Sequence, residues 1–172
     1  MSKIWRLRKQ EQGYVLTSGQ LEYPCLIGKN GLIEAAKKRE GDGATPKGCW
    51  PLRALLYRND KIDKRQFPSK MAMPLRAIRI DDGWCDDPNA LHYNQLVRLP
   101  FAGSHEKLWR GDGLYDLLLP MGYNDAPPQA GKGSAIFLHC ADTTAKHTKG
   151  CIALSHNDLF TLLHQSDAAS YI

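Results

Sequence analysis

Apolar residues in this chain come in short alternating runs, and a turn signal closes almost every run. In the first third, "WRLRK" (5–9), "GYVLTSG" (13–19) and "YPCLIG" (23–28) are punctuated by "QEQG", "TSGQ" and "KNG". Alternation is the period of a half-buried strand, and Gly, Asn and Ser are turn residues. "EAAKKREGDGATPKG" opens with helical composition, but its "GDG" and "TP" make it a long loop. "WPLRALLYR" resumes as a strand, residues 61–100 carry mixed signals and read as irregular, and "SHEKLWRGDGLYDLLLPMGYN" reads as a helix to Arg110 and then a strand from Leu114 to Tyr123. Near the carboxyl end, "GSAIFLHCA" is a strand and "GCIAL" a short one. "SHNDLFTLLHQ" is a helix, with Ser155 as N-cap, Asp158 three residues later, and an apolar stripe of Leu159, Leu162 and Leu163. Many short strands with a few short helices make a mostly-β sandwich or barrel-like fold. No repeat or linker divides the 172 residues, so a single domain over 1–172 is expected.

The net charge of +5 suits an anionic partner, but the basic residues are scattered and no aromatic residues interleave with them. Nucleic acid is therefore not the expected partner. The amino-terminal "MSKIWRLRKQEQG" interrupts its apolar pairs with charges, where a signal peptide needs an apolar run of about 7–15 residues. No run approaches the roughly 20 residues of a membrane span, so no span and a cytoplasmic location are expected. Five irregularly spaced cysteines without a CxxC pair read as reduced thiols, not as a disulfide framework.

The stretch "LHCADTTAKHTKGC" (138–151) mixes cysteine and histidine. On a strand, side chains alternate: Ile136, Leu138 and Cys140 face one way, Phe137, His139 and Ala141 the other. Cys140 then packs on an apolar face, and His139 is free to meet another group. Cys151 follows Gly150 and opens the next strand after the ten-residue connector Ala141–Gly150. A nucleophilic thiol needs a base in reach, surroundings that favour the thiolate, and backbone N–H donors for the oxyanion. His139 supplies the base, and the N–H groups of Gly150 and Cys151 are candidate donors. His147, four residues before the cysteine, is a second histidine that its loop can bring near. Zinc would need ligand pairs two to four residues apart, whereas Cys140, His147 and Cys151 are separated by 7 and 4. No metal or other cofactor is expected. His92, His105, His156, His164, Cys25, Cys49 and Cys85 show no catalytic setting.

"FLHCADTTAKHTKGCIAL" resembles the catalytic motif of the L,D-transpeptidase (YkuD-like) family, in which a histidine ends one strand and Ser/Thr-His-Gly-Cys opens another. His139 matches the first histidine, Thr148 the Ser/Thr position and Gly150-Cys151 the Gly-Cys pair. Lys149 stands in place of the second histidine, and Ala153 where Arg or Asn is common. "YPCLIGKNG", "KREGDGATPKGCWPLR", "DGWCDDP", "HYNQLV", "EKLWRGDGLYDLLL" and "GSAIFLH" extend the similarity over nearly the whole chain, to a short single-domain subgroup.

The resemblance implies a β-sandwich-like fold and acyl transfer on peptidoglycan stem peptides, with Cys151 forming a thioester as D-alanine leaves. An amine resolves the thioester in transpeptidation and water in L,D-carboxypeptidation. A cytoplasmic enzyme would meet soluble muropeptides, so trimming of murein tetrapeptides during recycling is the expected task, ahead of wall cross-linking. Binding without turnover is the non-enzyme alternative. Stem peptides carry carboxylates, so Arg110 and Lys149 are candidate substrate-binding cations, with an ion pair to Asp112 or Asp116 as the competing role for Arg110. Lys149 would also favour the thiolate, and Cys151 is expected to react with thiol reagents far faster than the other four cysteines.

Overall fold

The computed structural model describes residues 4–69, 71, 73–142 and 144–166. Its strands are short, as the turn signals require: β1 Arg6–Gln10, β2 Gly13–Ser18, β3 Leu21–Leu26, β4 Leu32–Glu34, β5 Thr45–Lys47, β6 Leu55–Tyr57, β7 Leu75–Ala77, β8 Asp82–Cys85, β9 Leu96–Arg98, β10 His105–Lys107, β11 Leu117–Pro120, β12 Phe137–Cys140 and β13 Ile152–Leu154. The helix α1, His156–Gln165, follows, and 3-10 turns occupy Ala35–Lys37 and Lys64–Gln66. Among the described residues no helix is long and apolar enough to cross a membrane.

The main sheet has the order β1-β2-β3-β13-β12-β11-β6-β7, with β12–β13 and β6–β7 parallel. A small antiparallel sheet runs β10-β8-β9, and β4 pairs with β5. The central strands of the main sheet are buried on both faces, and there the sequence is continuously apolar. Leu117 and Leu119 of β11 face the larger core with Leu138, Cys140, Ile152 and the helix leucines Leu159, Leu162 and Leu163. Leu118 faces the other way, with Leu56, Phe137, Tyr115 and Leu108. Trp84 of β8 packs edge-on against Phe137, 5.1 Å between centroids, so the small sheet covers this second face. The capping expectation for α1 is met: Ser155 Oγ accepts the Asp158 N–H at 3.1 Å and donates to its carboxylate at 2.7 Å.

The region read as irregular, 61–100, holds three strands, knit by charge more than by apolar alternation. The fully buried Asp82 carboxylate accepts from both Arg76 Nη atoms at 2.6 and 2.8 Å and from the Arg79 amide at 2.8 Å, with Arg98 at 3.4 Å. Burial alone would raise its pKa; these donors outweigh burial and lower it. The helix expected up to Arg110 does not form. His105–Lys107 instead pairs with Gly83–Cys85, because a waiting strand edge overrides a weak helical composition.

Candidate active site

The parallel pairing of β12 with β13 builds the site. Its register sets Leu138 opposite Ile152 and His139 opposite Ala153, which carries Phe137 opposite Cys151. Side chains on paired strands share a face, so Phe137, His139, Cys151 and Ala153 point to the second core while Leu138, Cys140 and Ile152 point to the first. His139 and Cys151 thus lie on one face, offset along the strands by about two residues or roughly 7 Å. Cys140 lies on the opposite face, where burial pushes its thiol up to about 12. Cys140 and Cys151 therefore cannot share one metal ion.

His139 is buried, and its Nδ1–H donates to the Cys140 carbonyl at 2.7 Å. A carbonyl only accepts, so the proton is on Nδ1 and the lone pair is on Nε2. Burial lowers the imidazole pKa to about 4; the Cys140 and Leu114 carbonyls oppose it, and the Arg110 charge acts in the same direction as burial. Cys151 keeps partial exposure. Its thiol donates to the Ala135 carbonyl at 3.1 Å, and its sulfur receives the Phe137 N–H at 3.4 Å. Burial pushes the thiol up to about 12, Glu106 adds to this, and the Phe137 amide and the Lys38 charge oppose it. The resting pair is a neutral thiol and a neutral imidazole. Tyr115 packs against His139, 5.4 Å between ring centroids; its hydroxyl donates to Glu106, and burial followed by the Glu106 charge holds that hydroxyl above its usual range.

The turn into Cys151 is held from behind. Gly150 has φ +139°, and a Cβ there would lie 3.0 Å from the Ala44 carbonyl oxygen, so the position needs glycine. The buried Thr45 hydroxyl donates to the Gly150 carbonyl at 2.8 Å and accepts the Gly28 N–H at 2.9 Å. Thr148 Oγ1 donates to the Cys151 carbonyl at 2.6 Å and accepts the Gly150 N–H at 3.1 Å. The Gly150 N–H expected to face an oxyanion is thus taken up inside the turn, because a hydroxyl two residues back reaches it first.

The other expected residues are placed differently. Arg110 sits at the margin, its guanidinium carbon 5.1 Å from the Tyr115 ring centroid, and pairs with Asp112, Nε to Oδ1 3.0 Å. Lys149 is exposed. The cation that acts on Cys151 is the buried Lys38, whose ammonium bonds Asp42 at 2.6 Å and the Arg39 carbonyl at 2.9 Å. His147 lies with Lys29, Lys146 and Asp158 in a cleft of about 580 Å³ that Cys151 does not line. A second cleft, of about 490 Å³, lies on the far side of β13, against Ile152 and Trp50. Lys38, Thr45 and Glu106 carry no sequence signal for this site, because they approach it from a loop and from the two smaller sheets.

A comparison with curated proteins gave no match. The profile of the L,D-transpeptidase catalytic domain (YkuD) family matches residues 4–170, and the chain therefore belongs to that family of L,D-transpeptidase-type enzymes acting on peptidoglycan.

Proposed function

We propose that Cys151 is the nucleophile and His139 its general base, and that the enzyme is an L,D-carboxypeptidase releasing the terminal D-alanine from murein tetrapeptides. The observation that carries this reading is the shared face of β12 and β13. It sets a thiol on the same face as an imidazole whose Nδ1–H is held by the Cys140 carbonyl, the tautomer in which Nε2 accepts a proton. Because both groups rest neutral, the thiolate is made during attack, as the proton passes from Sγ to Nε2. The S–C bond forms, the C–N bond to D-alanine breaks, and the imidazolium returns the proton to the departing amine. Water then attacks the thioester as His139 takes its proton; the new C–O bond forms, the C–S bond breaks, and the proton returns to Sγ as the shortened peptide leaves as its carboxylic acid. With the Gly150 N–H engaged by Thr148, the Cys151 N–H is the candidate backbone donor for the tetrahedral oxyanion. Arg110, at the margin, is a candidate partner for a stem carboxylate.

Water as the second substrate is favoured because Cys151 is only partly exposed, which suits a small acceptor. Recycling of soluble fragments in the cytoplasm is the task consistent with that choice. The test is mass spectrometry of a soluble murein tetrapeptide incubated with the wild type and with Cys151→Ser. Loss of one D-alanine in the wild type alone supports the proposal. A cross-linked dimer would replace it with a transpeptidase, and an unaltered tetrapeptide would refute the carboxypeptidase.

A further inference from the structure

The segment leading into β12 holds the same sulfur from the other side. Ala135 has φ +52°, in the left-handed region that a Cβ disfavours. Both of its polar backbone groups are engaged: its carbonyl accepts the Cys151 thiol at 3.1 Å, and its N–H donates to Asn94 Oδ1 at 3.0 Å. Asn94 lies between β8 and β9, is 6% exposed and is itself left-handed at φ +56°. Its Oδ1 also accepts the Trp84 indole N–H at 2.9 Å. Its Nδ2 donates to the Tyr123 carbonyl at 3.2 Å and the Asn124 carbonyl at 2.7 Å. Two donors converge on one end of the amide and two carbonyls on the other, so an amide in this orientation satisfies all four.

We propose that Asn94 is a positioning residue for acylation: it holds Ala135 in its strained conformation, and through the Ala135 carbonyl and the adjoining Phe137 amide it sets where the Cys151 sulfur sits. The inference rests on Cys151 being the nucleophile. Asn94 reaches no reacting atom itself. It belongs to the loop joining β8 and β9 of the small sheet, so that sheet covers the site and also anchors the segment leading into β12. Strain of this kind persists where surrounding bonds over-determine it, and Ala135 has one bond on each side of its peptide doing so.

The test follows D-alanine release from a soluble murein tetrapeptide, with kcat and KM separated, in the wild type, Asn94→Ala, Asn94→Asp, Asn94→Ala combined with Ala135→Gly, and Cys151→Ser. Asn94→Asp keeps an oxygen for the Trp84 and Ala135 donors but turns an acceptor toward two carbonyls, so it costs stability without releasing Ala135. Both single Asn94 variants are expected to melt at lower temperature. Asn94→Ala should lose about tenfold or more in kcat with KM within about twofold, whereas Asn94→Asp stays within about threefold of the wild-type kcat. Ala135→Gly adopts positive φ without strain, so adding it to Asn94→Ala should recover about threefold or more. Equal kcat losses in Asn94→Ala and Asn94→Asp, or no recovery in the double variant, would mean that Asn94 serves stability alone and would overturn the proposal. If Asn94→Ala does not fold, Asn94→Ser, too short to reach Ala135, takes its place with the same expectations. Turnover surviving in Cys151→Ser would sink the nucleophile assignment instead, whatever the Asn94 variants do.

Discussion

Replacing Thr45 by valine isolates what one hydroxyl does for the turn that presents Cys151. Valine has the same branched shape and suits a strand, so β5 itself should persist. The hydroxyl it removes bonds Gly28 N–H at 2.9 Å and Gly150 C=O at 2.8 Å, and Thr45 is 1% exposed. Water has little room to replace it: a Cβ on Gly28 would fall 2.4 Å from the Gly43 carbonyl oxygen, so these backbones are already in contact. Each buried group left without a partner costs about 1–3 kcal/mol, for a total of roughly 2–6 kcal/mol. The added methyl returns about 1 kcal/mol, leaving a net loss of about 1–5 kcal/mol. For a chain of this size that is a fall in Tm of about 2–20 °C. Urea denaturation followed by circular dichroism measures it, with Thr45→Ser as the control that keeps the hydroxyl and loses only the methyl. A Thr45→Val loss below about 0.5 kcal/mol, or one no larger than that of Thr45→Ser, would refute the reasoning, since the hydroxyl would then not be bridging buried groups.

Four further predictions concern the site. Turnover needs neutral His139, whose pKa is lowered to about 4, so the acid limb of kcat/KM should fall near pH 4 and not near the ordinary 6.5; a limb at 6.5 would contradict the burial of the base. The same shift bears on stability: the unfolded state takes up the proton first, so the contribution of His139 is full above pH 6.5 and is lost as pH falls toward 4, about 3 kcal/mol in all. His139→Gln should remove that portion of the pH dependence in urea titrations at pH 7 and pH 5. A small alkylating reagent at neutral pH should label exposed Cys49 before Cys151, reversing the order expected from the sequence, because the Cys151 thiol is pushed up to about 12. Peptide mass mapping decides it, and equal rates would mean a thiolate is already present at Cys151. Gly150→Ala should cost roughly 1–3 kcal/mol and depress turnover through strain at φ +139°, where the Ala44 carbonyl leaves no space; an alanine variant with wild-type stability and rate would remove the need for glycine there.

Much of this site was legible along the chain because its central elements are local. Period-two alternation in "AIFLHC" separates His139 from Cys140 before any partner strand is known, and the fold keeps that separation. Ser155 and Asp158 cap α1 within one turn, so that helix start is written in four consecutive residues. Signals failed where partners are remote. The strand at His105–Lys107 exists because Gly83–Cys85 pairs with it. Asp82, in the stretch read as irregular, is fully buried because Arg76, Arg79 and Arg98 reach it.

The sequence by itself determined the mostly-β class, the family, and which face of its strand His139 occupies, because alternation, turn residues and motif spacing are properties of neighbouring residues. Tertiary structure alone decided the electrostatic state of the site. Burial keeps His139 and Cys151 neutral at rest, and the cation bearing on the thiol is Lys38 rather than its neighbour Lys149. It also decided that Gly28, Thr45, Asn94 and Ala135 hold the turn and the sulfur. The physical reason is that desolvation and hydrogen bonding depend on what packs around a group, and here those atoms come from positions 16 to 120 residues away in the chain, as the Cys151–Ala135 and Gly28–Thr148 contacts and the Thr45–Gly150 bond show.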